Sequence, residues 1–568
     1  MTSQPVASYQ TARLLVYADS EALPAITSPQ FQSDWRTLAG KCPWGTALQS
    51  PEFACAWYES YGEVYRPLVL VRYSPGGEMD GLIALAVERA TGRLTFAGAH
   101  QSEYNVWLAT PGEQTFIVEC LARLQQLGFA SLTFTYLPPE SPLEWLNSGW
   151  GDRSALRAVQ RPLLTVDNID AVRESIGKKK NRRRLEKLQE SGALSFLELH
   201  TPEELDNYYD DIIDFYDLRM GAVHGTCPFR DDPRKRGFYG ALMSKGLLHV
   251  TVTKVGETLV ASHIGLRNKH EVVLGIVGHS PFQAIHSPGK LHILQLGVLL
   301  HEQGFSSLDL TPGGDAYKED RATRYDEAYE LTLFLDPKAL ARKRLSTTMT
   351  KSAVRVLRLD KERTSRLRSM VRDPIRSLQT SVSTLAKWTR SSSEIRFYRS
   401  VVNSVQGNTE CSVHRDRLRD LLCYEAKGPS ARSRRDFLKS TLAAIESGAH
   451  FYSMTRDNAL IFCAPLVTPN GKNLTTQLQA DHEYQPNSAV IPKLYLDQSY
   501  RNLQLYSDSL RQIVSDAVRT EGVEFVYLAV DATDQLARQA VEQAGFAYVD
   551  SVVRTVNLGT VKTVCRKR

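Results

Sequence analysis

The stretch 301-HEQGFSSLDLTPGGDAYK-318 runs from the end of a helix through a glycine into a short apolar strand. It then breaks on Pro312, Gly313 and Gly314 before presenting an acid, a phenol and an amine. Gly304 can adopt the left-handed conformation that closes a helix, and the alternation after it starts a strand. The same step recurs in 125-QQLGFASLTFTYLP-138, and a looser copy, 519-RTEGVEFVYLAV-530, surrounds Gly522. Such self-similarity predicts a chain built from repeated units.

Around the middle copy the order of elements is clearest. The runs 247-LLHVTVTKV-255, 258-TLVASHIGL-266 and 271-EVVLGIVGH-279 alternate and are separated by short polar turns, so they predict three hairpin-connected strands. The loop and helix 284-AIHSPGKLHILQLGVLL-300 follow, and then the strand of the opening stretch. Strand, strand, strand, helix, strand is an α+β arrangement with a mixed sheet. At the helix opening Ser287 is placed to cap, Pro288 fits the first helical position, and Gly289 lets the backbone approach a ligand. The free amides and positive dipole end there suit an anion, and Lys290 adds a full charge.

The chain has 568 residues, more than one hydrophobic core can serve at roughly 250 to 300 residues, so about three domains are expected. Its 42% hydrophobic and 23% charged content is that of a soluble globular protein. The first thirty residues lack a signal peptide's basic end and apolar run, and no long apolar segment occurs elsewhere, so a cytoplasmic location is expected, with contact at the inner membrane surface through a basic segment. The eight cysteines stand apart, without metal-ligand spacing, and predict free thiols, no disulfide and no metal site. The net charge of +6 is local, because residues 337–390 carry about 15 Lys and Arg against about 3 acids. That segment reads as a basic helical linker whose charge would suit an anionic membrane. A second basic run, 177-GKKKNRRRLEK-187, has no interleaved aromatics, which argues against nucleic acid as a partner.

With these motifs in hand, residues 170 to about 336 resemble the acetyltransferase domain associated with the CelD/BcsL cellulose-biosynthesis proteins, a GNAT branch related to the FemAB aminoacyl transferases. The resemblance rests on 177-GKKKNRRRLEKLQESGALSF-196, on HSPGKL at the helix opening, and on LDLTPGGDAYK, which matches the family's acidic-Gly-x-x-Tyr-Lys ending. The stretches 35-WRTLAGKCPWGTALQSPEFACAWYESYG-62 and 93-RLTFAGAHQSEYNVWLATPG-112 resemble the family's amino-terminal half. It implies tandem GNAT-like domains in FemAB-like pairing: an amino-terminal one over 1–169, the CelD/BcsL-like one over 170–336, the linker over 337–392, and a carboxy-terminal GNAT-like domain over 393–568. In that last domain Arg501, Asn502 and Leu503 stand where the family's Gly-rich loop would be.

The resemblance also implies roles. Acetyl-CoA or another acyl-CoA would be the co-substrate, its phosphates on Ser287, Pro288, Gly289 and Lys290. A backbone amide near Val277 to His279 would meet the oxyanion. Asp315 would bind or deprotonate the acceptor, Tyr317 would protonate the leaving thiol, and Lys318 would neutralise developing charge. Arg219 and His263 are candidates for contacting a small-molecule or saccharide acceptor, with His249 behind them. The expected activity is acyl transfer to an amine or hydroxyl in exopolysaccharide or envelope synthesis. Its rivals are a FemAB-like transfer from aminoacyl-tRNA and a non-catalytic scaffold. Nothing in the sequence fixes an oligomeric state.

Overall fold

The structure is a computed structural model that describes residues 13–167, 169–314, 316–341, 391–401, 413–427, 431–468, 484–497, 499–500, 502–557 and 560–567. Asp315, Arg501 and nearly all of the basic linker with its expected membrane contact lie outside the described residues. Gly128, Gly304 and Gly522 all adopt positive φ, at 85°, 79° and 64°, and each closes a helix before a strand. The first two close identically: Phe129 donates to the Leu124 carbonyl and Phe305 to the Leu300 carbonyl, which satisfies the helix's last acceptors.

Two compact units divide the chain. The first comprises Met1–Ile213, Asp232–Ser280 and His286–Ala353, and the second Asp214–Asp231, Pro281–Ile285 and Val354–Arg568. In the first unit the strands are β1 (Arg13–Ala18), β2 (Tyr65–Tyr73), β3 (Met79–Glu88), β4 (Leu94–Phe96), β5 (Leu108–Ala109), β6 (Ser131–Leu137), β7 (Ser154–Thr165), β8 (Leu194–Leu199), β9 (Leu248–Val255), β10 (Thr258–Asn268), β11 (Glu271–His279), β12 (Ser307–Asp309) and β13 (Arg324–Phe334). β1 to β4 form one sheet in sequence order, with β5 also on β3, and the rest form an eight-stranded sheet ordered β6-β13-β7-β12-β11-β10-β9-β8. The expected boundary at 169 thus falls between strands of one continuous sheet. In the second unit the strands are β14 (Ser391–Val401), β15 (His414–Arg415), β16 (His450–Arg456), β17 (Ala459–Leu466), β18 (Ser488–Ile491), β19 (Tyr495–Leu496), β20 (Phe525–Asp531), β21 (Ala547–Asn557) and β22 (Thr560–Lys567). Five of them are ordered β18-β20-β14-β21-β22, and β15-β16-β17-β19 form a second sheet.

Both units share a mixed α+β design. In each, two parallel strands joined by a helix (β11 and β12, β18 and β20) are followed across the sheet by an antiparallel strand from upstream in the chain (β7, β14) and then by a later one (β13, β21). The helix Pro288–Glu302 packs Ile293, Leu296 and Leu300 onto Leu164, Val272, Leu274, Leu308 and Leu310, so the core lies beneath the parallel pair.

β11 and β12 stay paired for three residues, the last pair being Val273 with Asp309. At that point Leu274 and Gly275 of β11 together oppose the single residue Gly265 of β10, a bulge that bends the strand. A Cβ on Gly275 would stand 2.6 Å from the Ile264 carbonyl oxygen, and one on Gly265 2.7 Å from that of Val273. Only glycines let the two backbones approach so closely. Gly275→Ala is therefore expected to lower unfolding free energy by about 1–3 kcal/mol, as measured by denaturant melts; an unchanged midpoint would mean that the bulge yields freely.

Candidate functional site

Where β12 leaves β11, a set of buried polar groups closes around Asp309. Asp309 has no solvent exposure, although Leu308 and Leu310 on either side of it belong to the core. Its Oδ2 accepts hydrogen bonds from the Tyr104 hydroxyl at 2.7 Å and from Arg161 Nε at 3.1 Å, and its Oδ1 accepts from the Thr311 amide at 2.8 Å. Arg161, on β7, also pairs with Glu271 of β11 and, at 3.2 Å, with Asp326 of β13. Burial works against the Arg161 charge, but Asp309, Tyr104, Glu271 and Asp326 outweigh it and raise its pKa. Burial, then the Asp309 charge, also raises the Tyr104 pKa, so its hydroxyl remains a donor.

Thr311 holds φ at 61°, a left-handed conformation unfavourable for a β-branched residue. Its amide is tied to Asp309, and Lys318 Nζ donates to its hydroxyl at 2.9 Å and its carbonyl at 3.3 Å. Lys318 sits on the short helix Ala316–Glu319 and is buried. Glu103, just before Tyr104, completes the set. Its Oε2 is sealed from solvent without a hydrogen-bond partner, although the residue as a whole is half-buried. Burial first, then the Asp309 charge, pushes the Glu103 pKa up to about 7, against the opposing pull of Lys318 and Thr311.

The helix opening departs from expectation in one respect. Ser287 occupies the cap position at φ 52°, but its side chain makes no capping hydrogen bond. Instead its carbonyl accepts from the amides of both Lys290 and Leu291, which leaves the Gly289 amide outside that pattern. Pro288 is the first helical residue, as expected. A Cβ on Gly289 would lie 2.9 Å from His279 Nδ1, so the glycine permits a close approach between the helix start and the end of β11. Lys290 Nζ lies 3.1 Å from Asp320 on the segment that carries Lys318, and both groups are partly exposed. Tyr317 is on the same short helix as Lys318.

The acceptor candidates lie elsewhere. His263 is fully buried on β10, with both ring nitrogens lacking hydrogen bonds, and burial, reinforced by His249 and His292, holds its pKa well below the usual value. An imidazole so enclosed is a neutral interior group. Arg219 belongs to the second unit, 3.9 Å from Glu446. Sequence reading assigned no role to Glu103, Tyr104, Arg161, Asp309 or Thr311. One signal was available: an acid inside the apolar strand 307-SLDL-310 must find a buried cation, and the cation comes from a strand about 150 residues upstream.

This fold is a mixed α+β one in which a helix joins two parting parallel strands. Residues 177–319 match a protein family described as an acetyltransferase (GNAT) domain. No curated protein matches the chain. Among solved structures it is similar to FemX, at 8% identity over 53% of this chain and 95% of that one, with a TM-score of 0.38. It is similar to L-PGS from Bacillus licheniformis at 14% identity, 55% and 95% coverage and a TM-score of 0.34. A tandem GNAT protein from the clavulanic acid biosynthesis pathway gives 12%, 57% and 99%, and 0.34. Among the described residues no helix is long and apolar enough to cross a membrane, and no cluster of His, Cys, Asp and Glu could hold a metal ion.

The Glu103 environment has a thermodynamic signature. The unfolded chain ionises this group near 4.5 and the folded one near 7, so between those values the folded state binds more protons and loses stability as pH rises. Glu103→Gln removes that loss. Between about pH 4 and pH 8 the variant should gain on the order of 3 kcal/mol relative to wild type in denaturant unfolding; a difference that stays constant with pH would show an ordinary, ionised carboxylate.

Proposed function

We propose that the first unit transfers an acyl group from a coenzyme A thioester to an amine or hydroxyl acceptor. The observation that carries this reading is the end of the β11–β12 pairing after Val273 and Asp309, with a helix that opens at Pro288 without a side-chain cap and has Gly289 next in line. A thioester arm fits between parting strands whose inner amides have lost their partner strand, and its phosphates suit the helix start and Lys290. There the carbonyl oxygen can take a hydrogen bond from β11 as charge develops on it, and Lys318 is placed to neutralise that charge. Tyr317 and Asp315 keep the roles of thiol protonation and acceptor binding in this proposal. The match over 177–319 supports the reaction class; the resemblance to CelD/BcsL-type domains suggests a saccharide or envelope precursor as acceptor.

The second unit supports a division of labour. Its corresponding helix, Leu503–Glu521, begins with a working cap: Asn502 Oδ1 accepts from the Leu505 amide at 3.0 Å, so the donors at that helix start are partly spent. We assign it a structural or acceptor-binding part. A second reading, transfer from aminoacyl-tRNA, draws on the exposed basic residues Lys178, Lys179, Lys180, Arg182 and Arg183 at the start of the matched region.

Calorimetric titration with acetyl-CoA, longer acyl-CoAs and charged tRNA separates these readings. Binding of an acyl-CoA that weakens about tenfold or more in Gly289→Ala is the expected result, since the added methyl group fills the space between the helix start and His279. Binding of charged tRNA alone would overturn it. Lys318→Ala should lower turnover by roughly 10²-fold or more and also cost stability, because Thr311 loses a buried donor.

A further inference from the structure

Between the helix Pro288–Glu302 and the hairpin β9–β10 the fold buries three histidines that the proposed transfer does not use. His249, His263 and His292 are all without solvent exposure. His249, Thr251 and Thr253 alternate along β9, and His263 of β10 pairs with Thr251, so all four face the same side of the sheet. The helix supplies His292, whose Nε2 and Nδ1 lie 3.0 and 2.8 Å from the Thr251 and Thr253 hydroxyls. His249 Nε2 lies 3.0 Å from Gln303 Oε1, an oxygen that accepts because the Gln303 amide donates to Glu198, so His249 carries its proton on Nε2. Its Nδ1, both nitrogens of His263 and Oε1 of Gln295 are buried without a hydrogen-bond partner. A Cβ on Gly265 would stand 2.5 Å from His263 Cε1, so the ring is packed against that backbone. Charged groups reach only the edge of this seam: Glu198 of β8 lies 3.5 Å from His249 and is held by Arg267 of β10, with His200 close by. Phe196 of β8 covers His292, Phe305 covers His249, and Val277 of β11 pairs with His263. Among the described residues, His263 and His292 have only other histidines as titratable neighbours.

We propose that these three histidines form an acid-sensitive latch: neutral, they seat the helix Pro288–Glu302 on β9 and β10, and protonated, they release it. The latch stands on the hydrogen bonds and burial above. Only its effect on a donor rests on the acyl-transfer reading, because the released helix is the one whose start would meet the donor's phosphates. Protonation turns both nitrogens of an imidazole into donors. His292 can meet that demand with two hydroxyls, but His263 has no acceptor at either nitrogen and no carboxylate beside it, so a charge there is stranded. His249 stands beside Glu198, so the edge of the seam tolerates a proton that its interior does not. Burial, reinforced by the neighbouring histidines, holds His263 well below the usual value and His292 down to about 3. A histidine freed into solvent titrates near 6.5, so below that pH the released state binds more protons than the seated one and gains on it as pH falls. From pH 7 to pH 5 the release constant grows roughly 25-fold for each of His263 and His292, and about 10²- to 10³-fold if both are freed. The rest of the helix's seat, on Leu164, Val272, Leu274, Leu308 and Leu310, is apolar, so acid acts on the histidine side alone.

The test is backbone hydrogen exchange of the full chain at about pH 7 and pH 5, corrected for the intrinsic pH dependence of exchange, beside acetyl-CoA titrations at the same two values. In wild type, protection at 249–253, 261–265 and 291–302 should fall about 10²-fold or more on acidification, while β2, β3 and the second unit keep theirs. His263→Phe replaces the unpartnered nitrogens by apolar atoms, and His292→Gln keeps a polar side chain for the hydroxyls without titrating. Each should cut the loss of protection by roughly 25-fold, and either one decides the matter if the other fails to fold. Acetyl-CoA binding should weaken less toward pH 5 in the variants than in wild type. Protection that stays constant with pH, that falls equally over the whole chain, or that falls as far in the variants as in wild type overturns the latch. Acetyl-CoA that fails to bind wild type at pH 7 overturns the acyl-transfer reading instead, and the exchange result then decides the latch by itself.

Discussion

The carboxylate of Asp309 is the constraint on which the first unit's site depends. A charge with no solvent exposure must be matched by other buried groups, and Tyr104, Arg161 and the Thr311 amide match it from three separate parts of the chain. Removing one partner of such a set costs about 3–5 kcal/mol, because the remaining charge is stranded. The same bonds explain the unfavourable backbone of Thr311: an amide tied to Asp309 and a hydroxyl and carbonyl tied to Lys318 leave the residue no relaxed alternative. The end of β12 is thereby held in a fixed position where its pairing with β11 ends, next to the glycine-dependent bulge at Leu274–Gly275 of β11.

The two units use one topological solution twice. In each, a strand from upstream fills the place beside the second parallel strand, so neither sheet could be completed by the segment between its parallel strands alone. This explains why the expected boundary at 169 cuts through a sheet: β7 precedes it in sequence yet lies between β12 and β13. What differs between the units is local. One helix starts on a left-handed serine that makes no side-chain cap, with a glycine behind it, and the other on an asparagine that caps. The Asn502 side chain takes up a donor at its helix start, and the Ser287 side chain does not.

Much of this architecture was legible in the sequence because it is governed by local rules. The three glycine-closed helix ends, the three antiparallel strands before the middle helix and the Pro288 start all follow from backbone preferences and periodicity over a few residues. The site was legible only in part. Lys318 and the 287–290 opening lie in motifs that can be read in one dimension. Tyr104 and Arg161 reach Asp309 across 205 and 148 residues, and no local pattern marks such partners. The buried acid at Asp309 was the one visible hint, since a charge between two core leucines demands a partner without saying where it lies. His263 shows the converse error: a histidine on a strand offered chemistry, whereas the fold encloses it.

The most direct measurement is backbone hydrogen exchange of the full chain with and without saturating acetyl-CoA. Slowed exchange at 277–279 and 289–291 is predicted, because the donor would take the amides at the end of β11 and at the helix start. Unchanged exchange at both segments, with protection appearing at 502–505 instead, would contradict the placement of the donor in the first unit.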